Sequence, residues 1–169
     1  MSTKVSRVGN YQLDREIGQG GSSKVWLAHH HVLENRQVAV KLLLSDNRET
    51  IDRFTREANI TSRLKHDCII QIYDHGFQNP YYYTVMEYVP GSSLRDLLKK
   101  REPLPLDLAL HIFRRAGSGL DYAHANGVIH RDVSPGNILL HEGQDRVLLT
   151  DFGIAREGAK AGITTTQHF

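Results

Sequence analysis

The spacing of hydrophobic and polar positions changes near the middle of this chain, from strand-like runs to a long helical stripe. Tyr11 to Ile17 and Lys24 to His29 read as strands on either side of a Gly/Ser turn, which is a hairpin signal. Gln37 to Leu44 and Tyr81 to Val89 are rich in β-branched, aromatic and leucine residues, and Ile69 to Tyr73 is a shorter strand candidate. Within Glu49 to Lys65, Ile51, Phe54 and Ala58 recur at helical spacing, which predicts one buried helix face. A second helix is predicted from Asp107 to Ala125, with its stripe at Ala109, Ile112, Phe113, Ala116, Leu120 and Ala123. Asn126-Gly127 ends it, because both residues tolerate positive φ. Ile138 to Leu140 and Val147 to Leu149 are short apolar runs beyond a Pro/Gly turn. The segregation of strands and helices predicts an α+β fold, with a seam near Val89-Pro90-Gly91.

Composition narrows the class without naming a function. The 169 residues are 40% hydrophobic and 24% charged, which excludes a disordered chain. A formal net charge of +2 gives no electrostatic footprint for nucleic acid or a membrane surface. Cys68 is the sole cysteine, so there is neither an intrachain disulfide nor a Cys-rich zinc cluster, and it is expected to be buried and inert. No apolar run approaches the ~20 residues of a membrane span, and Met1 to Asn10 lacks the apolar core of a signal peptide. A cytoplasmic protein is the expectation. His29-His30-His31 reads as a solvated strand end, since adjacent strand residues cannot all face one ion. Tyr81-Tyr82-Tyr83 reads as the packed start of a strand.

The chemistry begins at Gly18-Gln19-Gly20-Gly21-Ser22-Ser23-Lys24-Val25. Small residues let backbone N–H groups approach a phosphate closely, yet the same run reads equally well as a bare hairpin turn. It lacks the GK[ST] of a Walker A loop and the following helix of a dinucleotide fold. In Val38-Ala39-Val40-Lys41, alternation puts Ala39 and Lys41 on one face, where Ala leaves room for a flat ring and Lys reaches phosphates beside it. A Lys inside an apolar strand calls for a partner. Glu57 on the first helix is the candidate, with Glu49 and Asp52 on the same helix as alternatives.

His130-Arg131-Asp132-Val133-Ser134-Pro135-Gly136-Asn137 and Asp151-Phe152-Gly153 complete an ordered set. Asn137 and Asp151 offer the hard oxygen donors that magnesium prefers, and Asp132 is placed to take the proton of an incoming hydroxyl. In order, the glycine loop, VAVK, helical Glu, HRDxxxxN and DFG resemble the eukaryotic-like protein kinases, most closely the bacterial-type Ser/Thr branch. The resemblance implies a two-lobed fold: a tail over residues 1–10, a β-rich N-lobe and hinge over 11–89, and a partial helical C-lobe over 90–169.

It also implies ATP and Mg2+ as cofactors. Ile17, Gly18, Gly20 and Ser23 would edge the nucleotide, Val25 and Ala39 would roof the adenine, and Leu139 would be its floor. Met86 would be the gatekeeper, with Glu87 to Val89 as the hinge. Lys41, paired with Glu57, would hold the α- and β-phosphates, Asp132 would be the catalytic base, and Asn137 and Asp151 would hold the metal. Arg131 implies control by phosphate on the activation segment, where Thr164, Thr165 and Thr166 are the candidates. The implied partner is a protein bearing a Ser or Thr hydroxyl, with no membrane contact within this chain; pairing of copies through the N-lobe stays open.

The chain departs from the family pattern in extent and in detail. The resemblance runs from Tyr11 to Phe169 without an APE motif, so the expectation is a fragment ending within the activation segment. Ser23 replaces a glycine, which a small residue tolerates. Ser134 stands where most Ser/Thr kinases carry a lysine for the γ-phosphate, so Ser134→Lys in a completed domain is expected to raise turnover. Two other readings compete: a non-catalytic ATP-binding or interaction module, favoured by Ser134, and a small-molecule phosphotransferase, disfavoured by Arg131 and the Thr cluster.

Overall fold

The structure is a computed structural model and describes residues 6–33, 36–100, 102–143 and 145–152. In chain order, β1 (Arg7–Val8), β2 (Tyr11–Gln19), β3 (Ser23–His30) and β4 (Gln37–Leu43) precede helix α1 (Arg48–Ser62). After α1 come β5 (Ile72–Gln78) and β6 (Tyr81–Glu87), and all these strands join one antiparallel sheet in the order β1-β2-β3-β4-β6-β5. Strand alternation divides β4 between two faces. Val38, Val40 and Leu42 enter a core with Val8, Leu13, Ala28, Tyr83 and Val85, which leaves Ala39 and Lys41 for the opposite face. Asn47 starts α1 by accepting a hydrogen bond from the Thr50 amide at 3.1 Å, and Phe54 and Ala58 are buried.

The second half is built from β7 (Gly91–Ser93), α2 (Leu94–Leu98), α3 (Leu106–Ala125), a 3-10 turn at Pro135–Asn137, β8 (Ile138–His141) and β9 (Val147–Leu149). A small sheet, β7-β8-β9, lies against α3. Ile112, Ala116 and Ala123 of α3 pack with Ile138, Leu140, Val147, Leu149 and Phe152, and also with Ile60 and Leu64 from the first half. Gly119 permits this approach: a Cβ there would lie 3.0 Å from Leu149 Cδ1 and 3.1 Å from the Cys68 carbonyl oxygen. The halves are joined by backbone as well. The Ile70 amide donates to the Leu149 carbonyl at 2.9 Å, and the Leu149 amide donates to that of Cys68 at 2.8 Å.

Several expectations need revision. The segment read as a tail contains β1, with Val8 fully buried, because Arg7 and Val8 pair with Gln12 and Tyr11. The strand expected at Ile69 to Tyr73 begins at Ile72, and Ile69 makes only a parallel bridge to Leu149. β5 pairs with β6 alone at the sheet edge, so its exposed residues need no apolar alternation, and that hid it. Phe113 is 78% exposed, because it lies about 100° round the helix from Ile112 on α3. The α3 terminus is as expected: Asn126 follows it and Gly127 has φ +74°. The Tyr triplet begins β6, and Cys68 is a buried free thiol. The His triplet ends β3, where His29 Nδ1 meets Asp14 at 2.9 Å.

Candidate active site

A cleft of about 630 Å³ lies where the large sheet faces the small one. Its glycine turn is closed by the Gly20 amide donating to the Ser23 carbonyl at 2.8 Å, and Ile17, Gly18, Gly20 and Ser23 line the cleft edge. Val25 and Ala39 lie on one wall and Leu139 on another, all part of an apolar cluster with Ile70, Met86 and Leu148. A flat apolar ring fits such a slot. Glu87 and Val89 line the end where the chain passes between the sheets.

Lys41 projects into this cleft from β4. Its Nζ lies 3.0 Å from Glu57 Oε1 and 2.6 Å from Asp151 Oδ1, with only 14% of the side chain exposed. Glu57, rather than Glu49 or Asp52, is therefore the helical partner; Glu49 pairs with Arg53 instead. Burial opposes the Lys41 charge, but Asp151 and Glu57 outweigh it and raise the pKa. Burial raises the Glu57 pKa, with the Asp151 charge adding to it against the pull of Lys41. Asp151 is held below the ordinary carboxylate value because Lys41 overcomes the effect of its burial.

The HRDxxxxN segment is fixed by its own hydrogen bonds. His130 is buried; its Nε2 donates to the Thr150 carbonyl at 3.0 Å, and its Nδ1 accepts from the Asp132 amide at 3.3 Å. One nitrogen donates and the other accepts, so the imidazole is neutral, and burial lowers its pKa. Phe152 packs on it with ring centroids 4.5 Å apart. Asn137 Nδ2 donates to the Asp132 carbonyl at 2.9 Å and to Asp132 Oδ2 at 3.0 Å, which leaves its Oδ1 as the donor for a cation. Arg131 and Asp151 have φ +61° and +57°, a region unusual outside glycine and common at functional sites.

The Asn137 amide oxygen and Asp151 carboxylate share the cleft lining, and hard oxygen donors fit a divalent cation. Among the described residues, no group of three or more His, Cys, Asp or Glu could hold a metal without other ligands. Sequence reasoning missed the α2 side of the cleft, where Ser93, Arg95, Asp96 and Lys99 line the mouth. Ser93 caps α2, and its hydroxyl donates to Asp96 Oδ2 at 2.6 Å. Gly153, Thr164, Thr165 and Thr166 lie outside the described residues.

The profile of the protein kinase domain matches residues 11–168. The chain belongs to the protein kinase family. It is 43% identical over 162 residues to the serine/threonine-protein kinase PrkC of Bacillus subtilis, a match covering 94% of this chain and 24% of that protein. It is 43% identical over 164 residues to PknD of Mycobacterium tuberculosis, again covering 24% of the relative. The kinase domain of Mycobacterium tuberculosis PknI superimposes with a TM-score of 0.75 at 34% identity, over 91% of this chain and 64% of that one. The expected kinase-like fold is thus present as part of a kinase domain, and the chain spans about a quarter of the length of these curated relatives. Kinases of this family use ATP and a divalent metal. No described helix is long and apolar enough to cross a membrane.

Proposed function

We propose that this chain forms the nucleotide-binding and catalytic face of a serine/threonine protein kinase that takes ATP with Mg2+ and phosphorylates protein Ser or Thr hydroxyls. The observation that carries this reading is one cation, Lys41, held between Glu57 and Asp151 in a cleft also lined by Asn137, which is hydrogen-bonded to Asp132. Adenine would enter the slot between Val25, Ala39 and Leu139, with its edge against the backbone of Glu87 to Val89. Lys41 would hold the α- and β-phosphates at a point set by Glu57. Asn137 and Asp151 would hold Mg2+, which when bound neutralises phosphate charge.

The Asp132 carboxylate would accept the proton of the substrate hydroxyl as its oxygen bonds to the γ-phosphorus. The bond from that phosphorus to the bridging oxygen breaks, and ADP leaves with the electron pair. The names of the serine/threonine-kinase relatives support Ser and Thr as the acceptors. Thr164, Thr165 and Thr166 are candidates for regulatory phosphorylation, close in sequence to the DFG motif. Ser134 favours a second reading, a module that binds ATP without turnover, because a hydroxyl supplies no positive charge to the γ-phosphate.

Incubation with ATP and Mg2+, read by intact mass beside Lys41→Met, separates the readings. Phosphate on the wild-type chain alone supports the kinase. Thermal stabilisation by nucleotide without phosphate supports the binding module, and neither response overturns both.

A further inference from the structure

The cleft end that lines up with adenine in the proposed function is the passage from Glu87, the last residue of β6, to Gly91, the first of β7, with no regular structure over Tyr88 to Pro90. The β8–β9 hairpin grips this passage at two points. The Glu142 amide donates to the Pro90 carbonyl at 2.7 Å, and Arg146 Nη1 donates to Glu87 Oε1 at 2.8 Å. Tyr88 and Val89, between those points, line the cleft. The Glu87 amide is already committed, donating to the Gln71 carbonyl at 2.9 Å. Backbone and side chain together therefore pin this residue.

Arg146 immediately precedes β9, and Asp151 follows it closely. Between them, Leu148 packs with Ala39, Ile70 and Met86 in the wall of the slot. β9 is thus bound to the large sheet by an ion pair near each end, Arg146 to Glu87 and Asp151 to Lys41. The Glu87 side chain is 18% exposed and that of Arg146 40%. Asp67 and Asp145 also attract Arg146, though His141 already engages Asp145 at 2.9 Å.

We propose that Arg146 is a positioning residue for the adenine end of the cleft, acting through the Glu87 carboxylate to hold Glu87 to Val89 in register with β9. This rests on the nucleotide-binding reading above. A partly exposed ion pair adds little to fold stability, so its main effect falls on the passage that it restrains. The contact joins a side chain in the turn after β8 to one at the end of β6, and nothing else in the turn reaches Glu87 by a hydrogen bond among the described residues.

The test is calorimetric titration of the 169-residue chain with ADP and with adenosine, using Arg146→Ala, Arg146→Lys, Glu87→Gln and the Arg146→Ala/Glu87→Gln double variant. Arg146→Ala is expected to weaken both ligands by the same factor, about three- to tenfold, because adenosine lacks the phosphates and keeps the base. Glu87→Gln should match it, Arg146→Lys should recover most of the loss, and the double variant should be no weaker than either single one. Should Arg146→Ala not fold, the Glu87→Gln and Arg146→Lys pair carries the same comparison. Wild-type affinity in folded Arg146→Ala or Glu87→Gln, a loss confined to ADP, or additive losses in the double variant overturn the role of Arg146. If the wild-type chain binds neither ligand, the nucleotide reading fails first and takes this proposal with it.

Discussion

Lys41 Nζ lies 2.6 Å from Asp151 Oδ1, although 110 residues separate them along the chain. The same ammonium meets Glu57 at 3.0 Å, so one cation on β4 serves two carboxylates, one on α1 and one just after β9. Any phosphate entering the cleft competes with Asp151 for Lys41, and any metal drawn to Asp151 relaxes that competition.

Lys41→Met is therefore expected to do more than abolish phosphate binding. It leaves Glu57 and Asp151 facing each other with no cation between them, which raises both carboxyl pKa values. A carboxyl whose folded pKa is raised loses stability as pH rises through that value. The variant should be less stable than wild type by about 1–3 kcal/mol near neutral pH, with a smaller deficit near about pH 5. Urea unfolding at the two pH values measures it, and a deficit independent of pH would show that repulsion is not its source. Phosphoryl transfer, where the wild type shows it, should fall at least about 10²-fold.

Acid should weaken the wild-type fold through two histidines. Burial lowers the pKa of both His130 and His75 below that of an ordinary imidazole. For each, the unfolded chain takes up a proton first, so stability is present above about pH 6.5 and is lost as pH falls through the lower folded value. The melting temperature should drop between about pH 7 and about pH 5.5, and His75→Gln should make that drop shallower. Equal slopes in the two proteins would remove His75 from this account.

Gly119→Ala tests the contact between α3 and the small sheet. Alanine is the better helix former by about 1 kcal/mol, but its Cβ would press on Leu149 Cδ1 and on the Cys68 carbonyl oxygen at 3.0 and 3.1 Å. Overpacking of this kind costs about 1–3 kcal/mol, so a net loss of stability is expected by urea unfolding. A net gain would mean that the Leu149 side chain yields without cost.

Metal binding should depend on nucleotide. Asn137 and Asp151 provide two oxygen sites in the cleft lining, fewer than a divalent ion requires. Mg2+ alone should leave the melting temperature unchanged, whereas Mg2+ with ADP should stabilise the fold beyond ADP alone. Asn137→Ala should remove that increment while ADP binding without metal persists. An increment retained in the variant would exclude Asn137 as a ligand.

Much of this site was legible because its motifs are local and ordered. The glycine turn, VAVK, HRDxxxxN and DFG each carry their chemistry within a few residues, and helical spacing put Glu57 on α1. Glu57 was still only one of three acidic candidates until the fold brought it to Lys41. Nothing near Arg146 in the sequence points to Glu87, 59 residues away. The α2 wall was hidden for a different reason: a five-residue helix is too short to display a period.

The sequence by itself determined the family, the strand-rich and helix-led halves, and the candidate reactive side chains, because backbone period and residue chemistry act over one or two turns of chain. Only the tertiary structure decided which of those side chains meet. Val8 became core rather than tail, Phe113 stayed in solvent, and β9 was bound to the large sheet at both ends. Those outcomes depend on how the two sheets and α3 pack, and packing is a property of distant segments that no local pattern contains.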